Sequence, residues 1–171
     1  MLSEAGLQKI EDVKEEVYSY NVDKCYSSSY KRAFQTAKGF FDDVKIVNDL
    51  HERVIGENPE EDFWEKQYSD YNYKLAGGES LNEVKLRMKS AIDSIVHEMS
   101  EGETSLVVSH ATAMCAYFIN YATLQVTDYE CKLRKITFNG KTILDGRIDN
   151  LGFFVLEFNN DEMENALYCE I

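Results

Sequence analysis

The sequence predicts an α/β layered domain, on three observations. A short apolar run, Ser105-Leu106-Val107-Val108, passes through Ser109-His110 into a helical period, as a buried parallel strand feeding a helix does. Before it, short strand-like runs alternate with amphipathic helical stretches. After residue 123 the pattern turns β-rich, with hairpin signals. At 171 residues the chain suits a single domain over 1–171 with a sizeable core. Its 44% hydrophobic and 12% aromatic content fits a folded protein.

Charge and cysteine usage narrow the function. A net charge of −13 argues against nucleic acid and anionic membrane as partners. It leaves room for a small anionic substrate, because a local cluster of cations reverses the field in one cleft. Cys25, Cys115, Cys131 and Cys169 show no metal-type spacing and read as reduced thiols, mostly core filler. Without a secretory apolar segment or a run of membrane-spanning length, the expected compartment is the cytoplasm.

Taken in order, residues 1–20 open with a helix. Ser3 is placed to cap it, Glu4 lies in its first turn, and Leu7, Ile10, Val13 and Val17 form its apolar face. A short strand follows over 21–27. The serines at 27–29 and the Ala33, Phe34, Ala37 spacing then mark a capped strand-to-helix turn. A second strand over 44–47 runs into a loop with His51-Glu52-Arg53 and Gly56. Residues 57–73 are acidic and aromatic, with Pro59. They are expected to hold a short helix and an irregular excursion whose rings suit a lid over a cleft or a satellite core equally well. Gly77-Gly78-Glu79-Ser80 carries a cap signal for a helix running to about residue 99, with Leu81, Val84, Met88, Ile92 and Ile95 inward. His97, in its last turn, reads as structural. The strand at 105–108 and a helix to about 120 come next. Residues 123–147 are mixed, with strands at 136–138 and 142–144 flanking a hairpin turn at Asn139-Gly140. A strand over 149–158, a turn over 159–162 and a closing strand over 166–171 complete the chain.

Three places carry candidate chemistry. His110 stands at the carboxyl end of a strand and at a helix start, where open α/β sheets bind ligands and where free N–H groups favour an anion. It reads either as a ligand group or as a simple cap of the turn. Arg32 falls in the first turn of its helix, where a cation opposes the macrodipole. An anion it must meet accounts for that placement, and so does a plain surface arginine. The His51-Glu52-Arg53 trio after a strand fits a functional edge or a solvated surface.

Five segments, in order, resemble the histidine phosphatase superfamily with its phosphoglycerate-mutase-like fold. They are Leu2-Ser-Glu-Ala-Gly6, Tyr26-Ser-Ser-Ser-Tyr-Lys-Arg32-Ala-Phe-Gln-Thr-Ala37, Leu50-His-Glu52-Arg53-Val-Ile-Gly56, Gly77-Gly-Glu-Ser80 with Val107-Val-Ser-His110, and Asp149-Asn150-Leu-Gly. The resemblance implies a mostly parallel sheet with helices on both faces. It implies a phosphomonoesterase or phosphomutase acting on a small phosphorylated substrate through a phosphohistidine, with no metal or other cofactor. By the same resemblance Arg32 binds phosphate through its planar fork, and His110 donates to the phosphoryl oxygens as charge builds. Glu52 is the general acid/base on the leaving group, Ser28 and the backbone N–H groups near Ala111 add hydrogen bonds, and Arg53 contacts the substrate.

The sequence departs from that family at one point. The family's first strand ends in Arg-His-Gly and supplies the nucleophile, whereas here the only histidines are His51, His97 and His110, and none follows an arginine. The expectation is therefore a domain that lacks the family's first central strand, as a fragment or a mis-started reading of a longer protein, and that is inactive or nearly so as it stands. The alternative is a non-catalytic relative that binds phosphate, another anion or a protein partner.

Overall fold

The computed structural model describes residues 2–170. Its central layer is a parallel sheet of β1 (Lys24–Ser27), β2 (Lys45–Ile46) and β3 (Ser105–Val108), in the order β2-β1-β3. Ser27 pairs with Ile46 on one side and with Val108 on the other, so all three strands end at one edge. Alternating side chains send neighbouring residues to opposite faces. Leu106 joins the cluster of Ile10, Val13, Val17 and Phe40, from α1 (Glu4–Ser19) and α2 (Lys31–Phe40). Tyr26 and Val107 join the larger core with residues of two later helices, Leu81–His97 and Ala111–Phe118. Both faces of the sheet are thus covered, as a parallel sheet requires.

Local signals explain the helices. The Ser3 side chain accepts from the Gly6 N–H and starts α1. Its inward face is Ile10, Val13 and Val17; Leu7, expected on that face, is 52% exposed. The contact with α2 is close: a Cβ on Gly39 would stand 2.8 Å from Ile10 Cγ2. α2 corrects another expectation. Its N-cap is Tyr30, with no side-chain cap and no acidic residue in the first turn. The short helix within 57–73 is α3 (Phe63–Ser69), anchored by buried Phe63 and Gln67. α4 (Leu81–His97) starts on a full capping box between Ser80 and Glu83. His97 ends it as an exposed side chain 4.0 Å from Asp161. α5 (Ala111–Phe118) buries Ala113, Cys115, Ala116, Tyr117 and Phe118.

Parallel pairing stops where strand–helix alternation stops. β4 (Thr123–Asp128), β5 (Leu133–Phe138) and β6 (Lys141–Gly146) form an antiparallel sheet, and β7 (Phe153–Asn159) pairs with β8 (Glu162–Cys169). The expectation of a mostly parallel sheet therefore holds for the first three strands only. Asn139 and Gly140 both have positive φ and close the β5–β6 hairpin as expected. Asn160 and Asp161 do the same for β7–β8, so β8 begins four residues before the expected 166. The stretch 149–152 is a turn, not the start of β7: Gly152 N–H donates to the Asp149 carbonyl, and Leu151 has φ 74°. Gly152 is required there, since a Cβ would collide with the Tyr168 hydroxyl. These strands pack on the larger core through Ile136, Ile143, Leu144, Met163 and Ala166. Among the described residues β3 pairs only with β1, and β7 only with β8. Met1 and Ile171, placed by sequence in the first helix and the last strand, lie outside the described residues. No described helix is long and apolar enough to cross a membrane.

Ser80→Ala removes one side of the capping box that starts α4. It is expected to cost about 1 kcal/mol, read as a fall of about 2–4 °C in Tm. An unchanged Tm would mean that Glu83 holds the helix start alone.

Candidate active site

The carboxyl edge of the parallel sheet gathers side chains from three distant segments. The Ser28 N–H donates to the Val108 carbonyl, so the residue after β1 is locked beside the end of β3. His110 leaves β3 in extended conformation and is the N-cap residue of α5, yet its side chain makes no capping bond. Its Nε2 lies 3.0 Å from Ser28 Oγ, which also accepts from the Tyr30 N–H. The capping alternative for His110 is thus overturned.

The cap of α5 comes from Glu52. Its Oε1 accepts from the Ala113 N–H at 3.0 Å and from its neighbour Arg53 N–H at 2.8 Å, and its Oε2 accepts from the Thr112 N–H at 3.3 Å. Two of the N–H groups near Ala111 that the sequence offered to an anion are therefore engaged by this carboxylate. The Ala111 N–H itself has no partner among the described residues.

Around His110 the charges are mostly positive. Tyr30 is the centre of the group: its ring stacks on His51 at 5.9 Å, meets the His110 ring edge-on at 5.2 Å and lies under the Arg32 guanidinium at 5.2 Å. Arg32 is exposed, with no carboxylate in ion-pair range among the described residues. Burial, and then the positive charges of Arg32, His51 and Arg87, push His110 down to about 4. The imidazole is neutral at pH 7 and can be drawn toward protonation by an incoming anion.

The loop that carries Glu52 is fixed from below. Arg87 of α4 forms a bidentate pair with Glu79, at 2.7 and 2.9 Å, and donates to the carbonyls of Asp49 and His51. Burial alone would raise the Glu79 carboxyl. Hydrogen bonds from Arg87 and from the Val54 N–H outweigh it and hold Glu79 below the usual carboxylate range. Ser109 Oγ donates to the Leu50 carbonyl, tying the same loop to the end of β3.

Beyond Glu52 lies a cavity of about 320 Å3, bordered by Glu52, Ala111 and Thr112 on one side and by Phe63, Trp64 and Arg134 on the other. Arg53 borders it too, although its side chain is buried: Nε donates to the Glu79 carbonyl, Nη1 to Gln67 Oε1, and the guanidinium lies 4.8 Å from the Phe63 ring centre. A wider, shallower hollow on α3, lined by Asp62, Glu65, Lys66, Ser69, Asp70 and Tyr73, holds none of these side chains. No group of three or more His, Cys, Asp or Glu among the described residues is placed to hold a metal ion.

The structure therefore brings Ser28, Arg32, Glu52, His110 and Ala111 to one edge, and turns Arg53 toward α3. Sequence reasoning named His51 within the charged trio after β2, and missed Tyr30, Arg87 and Arg134 as members of this surround. Only Arg134 had a signal: it shares a strand face with Ile136 and Phe138 at alternate positions, and that face points inward.

The profile of the histidine phosphatase superfamily (branch 1) matches residues 1–161. No curated protein matches the chain. Among solved structures it is similar to mycobacterial glucosyl-3-phosphoglycerate phosphatase in complex with VO3, at 17% identity and a TM-score of 0.64, covering 80% of this chain and 78% of that one. It is similar to mycobacterial hydrolase 2 at 15% identity and a TM-score of 0.64, covering 98% and 77%. The Bacillus stearothermophilus protein YhfR matches at 20% identity and a TM-score of 0.58, covering 87% and 86%. At these identities the likeness is one of fold.

The His110 environment sets a pH dependence. The unfolded chain takes a proton near the ordinary value of 6.5, and the folded chain only near about 4. Stability from this group is complete above that window and is lost as pH falls through it. The loss is on the order of 3 kcal/mol at one pKa unit per 1.36 kcal/mol. Urea unfolding between pH 7 and pH 4 should show a shallower decline in His110→Gln than in the wild type. Parallel curves would mean that His110 titrates alike in both states.

Proposed function

The chain belongs to the histidine phosphatase superfamily, and from that premise we propose that its sheet edge binds the phosphoryl group of a small phosphomonoester for hydrolysis or transfer. The observation that carries this reading is His110. Its imidazole is released from capping by Glu52 and stands 3.0 Å from Ser28 Oγ, in the field of Arg32. A phosphoryl group there meets the two kinds of donor its equatorial oxygens need, a cationic fork from Arg32 and directed hydrogen bonds from His110 and Ser28. An arriving dianion offsets the repulsion of Arg32, His51 and Arg87 on His110 and draws a proton onto the ring, so that His110 becomes a stronger donor as charge builds.

Glu52 supports an acid/base role by position. It stands between His110 and the cavity, where the bond to a leaving oxygen would break. Its Oε2 carries one long bond, and Oε1 carries two. The cavity would then take the leaving group, with the Trp64 ring on its wall.

The covalent step needs a histidine in line with the departing oxygen. His110 is committed to the phosphoryl oxygens in this reading. His51 is held through Nδ1 on the Glu52 carbonyl, and His97 is exposed at the end of α4. We therefore propose slow turnover by the 171 residues alone. A second reading, anion binding without catalysis, is favoured by the engagement of Glu52 in three main-chain hydrogen bonds.

Two measurements test this. Phosphate or vanadate should raise Tm by mass action, and Arg32→Ala should abolish the rise; an equal rise in both proteins would place the anion elsewhere. The chain should hydrolyse p-nitrophenyl phosphate several orders of magnitude more slowly than an enzyme with a positioned nucleophile, as nucleophile removal commonly does. Robust turnover that His110→Ala abolishes would make His110 the nucleophile and reverse the roles given above.

A further inference from the structure

His51 is an imidazole of the sheet edge to which the phosphoryl reading gives no ligand. Its Nδ1 lies 2.7 Å from the Glu52 carbonyl oxygen and 4.0 Å from Glu79 Oε2. A carbonyl oxygen can accept but not donate. Nδ1 therefore carries the proton, and the neutral ring keeps its lone pair on Nε2. The main chain that holds this ring is itself fixed, since Arg87 Nη1 donates to the His51 carbonyl at 3.0 Å. The side chain is 22% exposed, and Nε2 has no hydrogen-bond partner among the described residues. One nitrogen is thus anchored and the other is free at the edge of the site.

The surroundings of the ring favour its charged form at some points and oppose it at others. Tyr30 lies against its face at 5.9 Å, with 20° between the planes. An aromatic face at that distance attracts a cation. The Glu79 carboxylate, paired with Arg87, stands beside the anchored nitrogen and adds to the attraction. Three positive or protonatable groups oppose it: Arg87 from α4, and Arg32 and His110, which meet the same Tyr30 ring at 5.2 Å each. Within the same segment, Glu52 and Arg53 turn their side chains to α5 and α3, and Asp49 is exposed. The two imidazoles feel each other: after burial and Arg32, the charge of His51 is the next cause that lowers His110. A dianion arriving at this edge reverses the balance, because each imidazolium then faces an oxyanion as well as its neighbour.

Resting on the phosphoryl site proposed above, we propose that His51 is a further anion-binding side chain of that site, donating from Nε2 to an oxyanion only as the imidazolium. Neutral, the ring presents a lone pair at Nε2 and repels the oxyanion. Protonated, it presents a charge-assisted donor. Binding of a tetrahedral oxyanion is therefore coupled to proton uptake at residue 51, in the range of about pH 5–8 where imidazoles titrate. Tyr30 acts here as a positioning residue, holding the His51 ring beside His110 and under the same field. A histidine that merely held the loop would show no proton linkage.

Sulfate tests this on the intact chain, since it is a tetrahedral dianion that does not itself titrate in this range. Calorimetry should show the wild type binding sulfate about tenfold more tightly near pH 5.5 than near pH 8, the effect of one pKa unit of linkage. His51→Asn keeps an amide donor for the Glu52 carbonyl but has no Nε2 and gains no proton. It should match the wild type near pH 8 and lose most of the low-pH gain. An equal gain in both proteins, with Arg32→Ala weakening sulfate throughout, overturns the role of His51 and leaves the phosphoryl site standing. Equal weakening of His51→Asn at both pH values marks a structural residue and also overturns it. No sulfate binding by the wild type, or binding that Arg32→Ala leaves unchanged, overturns both. A second measurement does not depend on the folding of His51→Asn. In NMR titrations of the wild type, with the three imidazoles assigned through His97→Asn and His110→Gln, saturating sulfate should move the His51 titration to higher pH and leave that of exposed His97 in place. An unmoved His51 titration overturns the proposal.

Discussion

The site depends on one carboxylate at one helix end. Glu52 accepts from the N–H groups of Thr112 and Ala113, a duty that the N-cap side chain normally performs. Because that duty is met from another segment, His110 is not spent on it. A capping contact of this kind is worth about 1 kcal/mol, and the helix macrodipole adds to the attraction for a carboxylate. The local energy is modest, but its structural consequence is large. It joins the loop after β2 to the helix after β3 and closes the edge at which β1, β2 and β3 all end.

The joint is held from behind as well as from the front. The Arg87–Glu79 pair sits beneath the loop, and Arg87 also reaches the Asp49 and His51 carbonyls. Main-chain groups with no strand partner are thereby satisfied inside the protein, which is what lets an irregular loop lie against a core. Electrostatics follows from the same packing. A chain of net −13 repels anions over most of its surface. The edge reverses that sign locally with Arg32 and Arg87. Low-dielectric walls make such a cluster felt more strongly than the same charges in water. Burial first, and that field second, lower the proton affinity of His110.

What the sequence made legible were features with local causes. The Ser80–Glu83 box, the Ser3 cap, the 105–108 strand and the Asn139-Gly140 turn each depend on a few adjacent residues, and each appears where it was expected. β4 was not legible although it alternates: Thr123, Gln125 and Thr127 face water, and the apolar half of the pattern is only two half-buried residues, Leu124 and Val126. The first half of β8 was hidden by Glu162, Glu164 and Asn165, polar residues that a hairpin edge accepts on its outer face. The candidate site divides the same way. The motif residues Ser28, Arg32, Glu52 and His110 were visible in sequence. The way Glu52 caps α5, the tie from Arg87 and the burial of Arg53 arise between segments far apart in the chain, and no local pattern encodes them.

The three consecutive residues His51, Glu52 and Arg53 show how much such a stretch conceals. A charged trio after a strand reads as solvated surface as readily as a functional edge. In the fold each member has a different neighbour: the His51 ring lies on Tyr30, the Glu52 carboxylate on α5, and the Arg53 guanidinium on Gln67 and Phe63 of α3. Three separate elements therefore converge on a stretch with no regular structure of its own. Moving any one of the three side chains would disturb the other two through a backbone that Arg87 and Ser109 already hold. Such a segment gains little by flexing, since the ordering cost of its side chains is met during folding and not at the moment of binding. The consequence is a site whose two halves, the His110 edge and the arginine-lined cavity, are kept at a fixed separation by the residue between them.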